Sequence, residues 1–207
     1  MNKNITSQTL SRLPIYFNYL VSLPEQRKKG NISATAIADA LGLNDVQVRK
    51  DLASVCSGGR PKVGYLTSEL ISDIGKFLGF ENHDRVVVAG MGHFGRAMLE
   101  YNGFEAYGFD IVCGFDCNKD RVGTSINGKP VRHIDELESF CKTNDIRIGI
   151  ITVPEKAAQE VCDRMAEAGI KFILNFAAVY LNAPKGVAVH NENISLTLAM
   201  LARCSAN

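Results

Sequence analysis

Residues 86–97, VVVAGMGHFGRA, constrain the fold more than any other stretch of this 207-residue chain. A β-branched apolar run breaks at glycine and resumes as an amphipathic pattern, the passage of a buried strand through a tight turn into a helix. Gly90-Met91-Gly92-His93-Phe94-Gly95 fits Gly-x-Gly-x-x-Gly in that setting. Gly90 suits the turn, Gly92 lets the backbone come close to a pyrophosphate, and Gly95 lets the helix close on the strand. The helix N-terminus adds partial positive charge for an anion. Met91, His93 and Phe94 ride on the same loop and complete the candidate contact set.

Downstream the pattern keeps alternating. FDIVCGFD, IRIGIITV, KFILNF and GVAVHN read as strands, IDELESFCKT and EKAAQEVCDRMAEAG as helices, and TSINGKPV as a small hairpin about Asn127-Gly128. Such strands, separated by amphipathic helices, predict an α/β domain of Rossmann type, its parallel sheet covered on both faces. The second strand ends in Asp116, 26 residues after Gly90. A carboxylate there accepts from the adenosine ribose hydroxyls and repels a 2′-phosphate, so NAD(H) is the expected cofactor. Lys119 and Arg121 lie close by and pull the other way. A sheet of this kind that holds coenzyme A, or no nucleotide, remains an alternative. Val153-Pro154 and Asn175-Phe176 end later strands, on the edge where such sheets bind ligands, although strand termination alone also accounts for them.

The first 79 residues differ in character: they hold ten Lys/Arg against six Asp/Glu, whereas the remainder holds thirteen against sixteen. A basic small domain on a mildly acidic larger one points the first half at a polyanion. Leu13, Phe17, Leu20 and Val21 mark a first helix. Two short helices follow, broken at Leu41-Gly42-Leu43, with Ile37 and Leu41 on one apolar stripe and Val46, Leu52 and Val55 on the other. Ser33 can cap the first, and Asn44 with Gln47 resembles a capping box for the second. CSGGRPKVGYLTSE then reads as a β-hairpin wing with Arg60 and Lys62 at its tip. Together these form a winged helix. The early residues of its second helix, Asn44, Asp45, Gln47 and Val48, with Arg49 and Lys50 next, face base edges in such a domain. Arg can grip guanine, Gln adenine, and Lys50 or Lys62 a phosphate of double-stranded DNA. The expected division is 1–79, 80–191 and a C-terminal helix at 192–207.

Catalysis is not expected. Hydride transfer needs a group that moves the substrate proton, and His83, His93, His133 and His190 stand in no evident acid/base pair. Little chain follows the last strand to build a substrate domain, although an NAD-dependent oxidoreductase with an accessory helical domain is the rival reading. The six cysteines show no C-x-x-C pair, so reduced thiols and no zinc site are expected. Cys113 and Cys117 flank Asp116 and could sense oxidation only with a lowered pKa. No apolar stretch approaches the roughly 20 residues of a membrane span, and a cytoplasmic protein is expected. Leu196, Leu198, Met200 and Leu201 give the tail apolar contact on more than one side, so it packs either on its own sheet or on a second subunit.

RLPIYFNYL, QVRKDL, the VGY closing the wing, AGMGHFG, Tyr101 and Phe104 of EYNGF, TVPEKAAQ, GIKFILNFA and VAVHNENISL, in this order, resemble the redox-sensing transcriptional repressor family Rex over nearly the whole chain. The resemblance implies a homodimer with domain-swapped C-terminal helices that binds operator DNA when NADH is low and releases it when NADH fills the Rossmann pocket. It also implies an Arg on the first helix paired with an Asp at the start of the partner's swapped helix, with Tyr101 joining that network. Here Asn18 and Asn193 stand at the two charged positions. Ser54-Val55-Cys56 replaces the family's aromatic pair and glycine before the wing.

Overall fold

The computed structural model describes residues 5–204, and the chain divides after Glu81 into two units. The first begins with α1 (Ser7–Ser22), capped by the hydroxyl of Thr6, and a short α2 (Glu25–Lys28). Strand β1 (Asn31–Ile32) leads into α3 (Ala34–Leu41), which Ser33 caps and Gly42 ends in the left-handed conformation at φ 66°. After this tight turn Asn44 caps α4 (Asp45–Val55). Strand β2 (Tyr65–Leu66) and α5 (Thr67–Leu78) complete the unit. Leu13, Tyr16, Leu20, Ile37, Val48, Leu52, Leu70 and Ile74 form its core.

Two expectations for this core are corrected. Val21 is exposed while Tyr16 is buried, because residues 9, 13, 16 and 20 share one helical face and 21 lies about 100° beyond it. Val46 is 48% exposed and Val48 fully buried. The inward stripe of α4 runs Val48, Leu52 at i, i+4, so a side chain two positions earlier points away. The wing is shorter than a regular hairpin. Arg60 and Gly64 exchange two backbone hydrogen bonds of 2.9 Å around Lys62 at φ 64°, while β2 pairs with β1.

At the centre of this unit lies Asp51, 2% exposed. Its carboxylate accepts from Thr9 Oγ1 (3.0 Å), Arg12 Nε (2.7 Å), Tyr16 Oη (2.8 Å) and Gln47 Nε2 (3.0 Å). Burial opposes its ionisation, but the hydrogen bonds from Arg12, Tyr16, Gln47 and Thr9 prevail and hold its pKa below the ordinary value. Burial and the neighbouring carboxylate push the Tyr16 hydroxyl up to about 12. The network ties α1 to α4.

The second unit runs β3 (Asp84–Ala89), α6 (His93–Glu100), a 3-10 turn (Asn102–Tyr107) and β4 (Phe109–Asp116). There follow β5 (Ser125–Ile126), β6 (Lys129–His133), a 3-10 turn (Ile134–Glu136), α7 (Leu137–Thr143), β7 (Ile148–Ile151) and α8 (Glu155–Glu167). Strands β8 (Phe172–Asn175) and β9 (Ala188–Asn191) and helix α9 (Ile194–Cys204) end the described chain. Residues 205–207 of the expected tail helix lie outside it. The sheet order is β5-β6-β4-β3-β7-β8-β9, parallel except for the β5–β6 hairpin, whose turn places Asn127 and Gly128 at φ 49° and 76°. The chain steps outward from β3 through β4 and β6, then returns to β7 on the other side, so the strand order reverses between β3 and β7.

Val87 and Ala89 of β3 face the core under α7 and α8, while Val86 and Val88 face the core with Leu99 of α6. The expected cover on both faces is incomplete. The link from β8 to β9 contains no helix, and Phe172 on the α6 side of β8 stays exposed. Nor does the tail pack on its own sheet: Ile194, Leu196, Leu198, Met200 and Leu201 are 56–62% exposed.

Replacing Asp51 by Ala should cost about 3–5 kcal/mol, because it strands a buried partner set, and urea unfolding of the first unit measures it. Since the Asp51 carboxyl is held below its ordinary pKa, its stabilisation is full well above the unfolded value near 3.9 and is lost as pH falls through the folded value. Wild-type midpoints should therefore drop with acid from about pH 5 downward, and those of Asp51→Ala should drop less.

Candidate functional site

Three glycines shape the turn after β3. Gly90 sits at φ 99°, and a Cβ there would come within 2.8 Å of the Thr152 carbonyl carbon and the Val153 nitrogen. A Cβ on Gly95 would fall 1.9 Å from the Gly90 carbonyl oxygen, so α6 closes directly on the turn. Gly92 caps α6, and a Cβ on it would meet nothing within 4 Å. The backbone in front of the helix N-terminus is thus open to a ligand. Thr152, just past β7, locks the arrangement from the far side of the switch by donating its hydroxyl to Ala89 O (3.0 Å) and Gly90 O (2.7 Å).

A cleft of about 580 Å³ opens at this point, outside the carboxyl ends of the strands. Gly90, Gly92 and Thr152 form its floor. Asp116, Cys117, Asn118 and Arg121 line one wall, and Ile134, Val153, Pro154, Ala157 and Val161 supply an apolar slot. Arg164 stands at its border, bonded to Asp135 (2.9 Å) and near Glu160 (3.5 Å). Asp116 is buried and spans the floor and the wall. It accepts from Met91 N (2.7 Å), Asn118 N (2.8 Å) and Arg121 Nη1 (3.0 Å). Burial works against its charge, but the two backbone N–H groups and the guanidinium hold its pKa below the ordinary value.

Of the residues expected at a nucleotide, Gly90, Gly92, Asp116, Val153 and Pro154 meet in the cleft. Gly95 sits behind it. Met91 is a correction: its side chain lies in the core and its N–H is taken by Asp116. Asn175 is another, buried and bonded to Ala177 O (3.2 Å), Val179 O (2.9 Å) and Asn191 Oδ1 (2.9 Å), so it shapes the loop after β8. Tyr101 stands clear of the cleft, 59% exposed and edge-on to Phe104 at 5.2 Å. His93 is exposed in the first turn of α6. Phe94 and Phe176 meet edge-on at 4.8 Å, beside a smaller cavity of about 280 Å³ that Thr152, Glu192 and Asn193 also line. Asn193 Oδ1 caps α9 by accepting from Leu196 N (2.9 Å). Cys113 is buried, and desolvation raises its thiol to about 12, the opposite of the lowered value that thiol sensing needs. Cys117 is exposed. Thr152, Ile134 and Arg164 escaped the sequence reading, since each reaches the cleft only through strand register or helix phase.

In the first unit Val48 drops out of the base-reading set, being core. Asn44 and Gln47 lie on the surface, with Asn44 Oδ1 accepting from Gln47 N (3.1 Å) and the Gln47 amide donating to Asp51. Asp45 and Arg49 pair at 3.1 Å, and Lys50 is exposed. Arg49, Arg60 and Lys62 converge on a basic cleft of about 580 Å³ that also includes Ser33, Thr35 and Tyr65. Asn18 lies on the exposed side of α1.

Two family models match this chain: "CoA binding domain" over residues 81–179 and "Putative DNA-binding protein N-terminus" over residues 4–53. The redox-sensing transcriptional repressor Rex of Porphyromonas gingivalis is 39% identical over 201 residues, spanning 97% of this chain and 92% of its own. The chain belongs to the Rex family. The Rex of Treponema denticola is 42% identical over 193 residues, 93% of this chain and 91% of its own. Among solved structures, the Rex-family repressor RSP with β-NAD+ and operator DNA superposes with a TM-score of 0.90 at 31% identity, covering 99% of this chain and 94% of RSP. RSP with β-NADH gives 0.86 at 30% identity, covering 99% and 95%.

Gly92→Val fills the open space at the α6 N-terminus without a clash. It should weaken ADP-ribose binding at least ~10-fold by calorimetry, equivalent to about 1.4 kcal/mol, while urea stability stays within about 0.5 kcal/mol.

Proposed function

We propose that this Rex-family chain is an NADH-responsive transcriptional repressor that holds operator DNA when NADH is scarce and releases it when NADH occupies the cleft. The observation that carries the reading is one chain joining an open Gly90–Gly92 turn at a strand-order reversal to a helix-turn-helix with a basic cleft. A near full-length likeness to RSP, solved with operator DNA and with either form of the dinucleotide, supports it. Gly90 and Gly92 receive the pyrophosphate, Asp116 faces the adenosine ribose, and Val153 and Pro154 line the base slot, while His93, Phe94 and Phe176 bound the nicotinamide side. Asn44, Asp45, Gln47 and Arg49 face base edges, and Lys50, Arg60 and Lys62 meet phosphates. The protein reads the dinucleotide without turning it over, a reading that its near full-length likeness to repressors supports.

A ligand shifts an equilibrium only by its differential affinity, so NADH must bind the DNA-releasing state more tightly. Tenfold release needs about 1.4 kcal/mol of such coupling. The working form is a homodimer in the cytoplasm. The exposed apolar faces of α9 and of β8 at Phe172 support an exchange of C-terminal helices between subunits. Asn18 and Asn193 form the neutral counterpart of the family's interchain ion pair. Losing both charges strands neither, which spares the dimer and weakens the redox response.

In a mobility-shift titration at fixed total NAD(H), operator binding should fall as the NADH fraction rises, and binding indifferent to that ratio overturns the sensor reading. NADH turnover without salt-dependent DNA binding would make the protein an oxidoreductase instead. Leu198→Glu with Met200→Glu should convert the dimer to monomer in sedimentation and abolish cooperative binding to paired half-sites.

A further inference from the structure

The wing and the start of α3 meet through close backbone approaches. Gly64 lies at φ 86°, and a Cβ there would fall 2.3 Å from Ile32 O and 3.1 Å from Ser33 Cα. A Cβ on Gly59 would fall 2.7 Å from Tyr65 Cζ and 2.9 Å from Tyr65 Oη. Gly59 therefore leaves the room that the tyrosine hydroxyl occupies, and Tyr65 itself pairs with Ile32, just before α3 begins at Ala34. Tyr65 is 9% exposed, yet among the described residues its hydroxyl has no hydrogen-bond partner. No buried side-chain oxygen or nitrogen of those residues goes unpaired, so this oxygen opens onto the basic cleft that Tyr65 lines. Burial raises its pKa, which keeps it a neutral donor.

The other groups at this corner are donors as well. The Ser33 cap takes Ala36 N at 3.0 Å. The N–H groups of Ala34 and Thr35, which a helix cannot satisfy from within, make no backbone bond elsewhere, and both residues line the cleft. Arg49 is held by Asp45 at 3.1 Å, whereas Arg60 and Lys62 line the cleft with no ion pair among the described residues. No carboxylate lines it: Glu69 approaches Gly58, outside the lining, and Asp73 acts on Cys56. The corner suits an anion with several acceptor oxygens.

We infer that the corner between the wing and α3 seats one backbone phosphate of duplex DNA, with the Tyr65 hydroxyl and the Ala34 and Thr35 N–H groups donating to its oxygens and Arg60 and Lys62 supplying the charge. This rests on the DNA-binding reading of the first unit and adds a positioning contact to it. A phosphodiester presents two unesterified oxygens that share one negative charge, so fixed donors set its direction while the cations hold it by their field. Duplex DNA is the source because Arg49 of α4 lines the same cleft, which brings the second helix of the helix-turn-helix, the wing and the seat onto one ligand. Such a contact fixes the register of α4 on the duplex and reads no sequence.

Fluorescence anisotropy of the full chain with a pair of labelled duplexes tests it: one that the wild-type chain selects from random sequence, and a scrambled duplex of the same composition. Tyr65→Phe should weaken binding to both by about 10-fold, the worth of a hydrogen bond to a charged group. Its salt slope should match that of wild type, because no cation is lost. Lys62→Gln should weaken both duplexes and lower the slope by about 0.9. The urea midpoint of Tyr65→Phe should stay at the wild-type value, since the hydroxyl supports nothing within the fold. A loss confined to the selected duplex makes Tyr65 a base reader and overturns the phosphate seat. Unchanged affinity in Tyr65→Phe, or a lowered urea midpoint that makes the hydroxyl structural, overturns it as well, and all three outcomes leave DNA binding standing. Failure of the wild-type chain to bind any duplex overturns both readings.

Discussion

Helix α6 approaches the strand it follows so closely that a single methyl group on Gly95 would lie 1.9 Å from the Gly90 carbonyl oxygen. The rest of the second unit depends on that contact. It turns the α6 N-terminus toward the end of β3 and aims the unpaired N–H groups outward at Gly92. It also brings the Ala89 and Gly90 carbonyls within reach of the Thr152 hydroxyl. Because Thr152 follows β7, the first strand beyond the order reversal, this bond draws the two halves of the sheet around one crevice. The cleft is therefore a product of backbone approach, and the side chains around it select what enters.

Both units use a buried aspartate to hold their working element. Asp51 fixes the second helix of the helix-turn-helix to α1 through three side chains of that helix, Thr9, Arg12 and Tyr16, and Asp116 fixes the glycine turn to the loop after β4 through two backbone N–H groups and Arg121. A buried carboxylate is costly alone and tolerable once its lone pairs are filled. The filling specifies position, since each donor must arrive from a defined direction. It also commits donors: Gln47 gives one amide N–H to Asp51, and Arg121 gives one guanidinium N–H to Asp116.

Much of this was legible in the sequence. The glycine motif, the strand at Phe109–Asp116, the caps at Ser33 and Asn44 and the turn at Asn127-Gly128 rest on local stereochemistry, and all appear as read. The misses have one cause. Val46 and Val48 are the same residue type two positions apart, and which of them faces inward depends on how α4 rotates against α1 and α3. Asn175 and Phe176 end a strand where ligands bind, but the irregular loop after β8 takes the asparagine for its own hydrogen bonds. Met91 lies inside the motif, and its side chain turns down into the core beneath Gly114.

By itself the sequence determined the order of elements, the strand-turn-helix that admits a pyrophosphate, the helix-turn-helix and the family likeness, because each is written in neighbours along the chain. Only the tertiary structure decided that Arg121 pairs with Asp116, that Thr152 ties β7 to the glycine turn, and that the tail and β8 at Phe172 keep exposed apolar surface. Those outcomes join residues far apart in the fold or depend on which face a helix presents, and hydrogen-bond directions and packing settle them only when the elements meet.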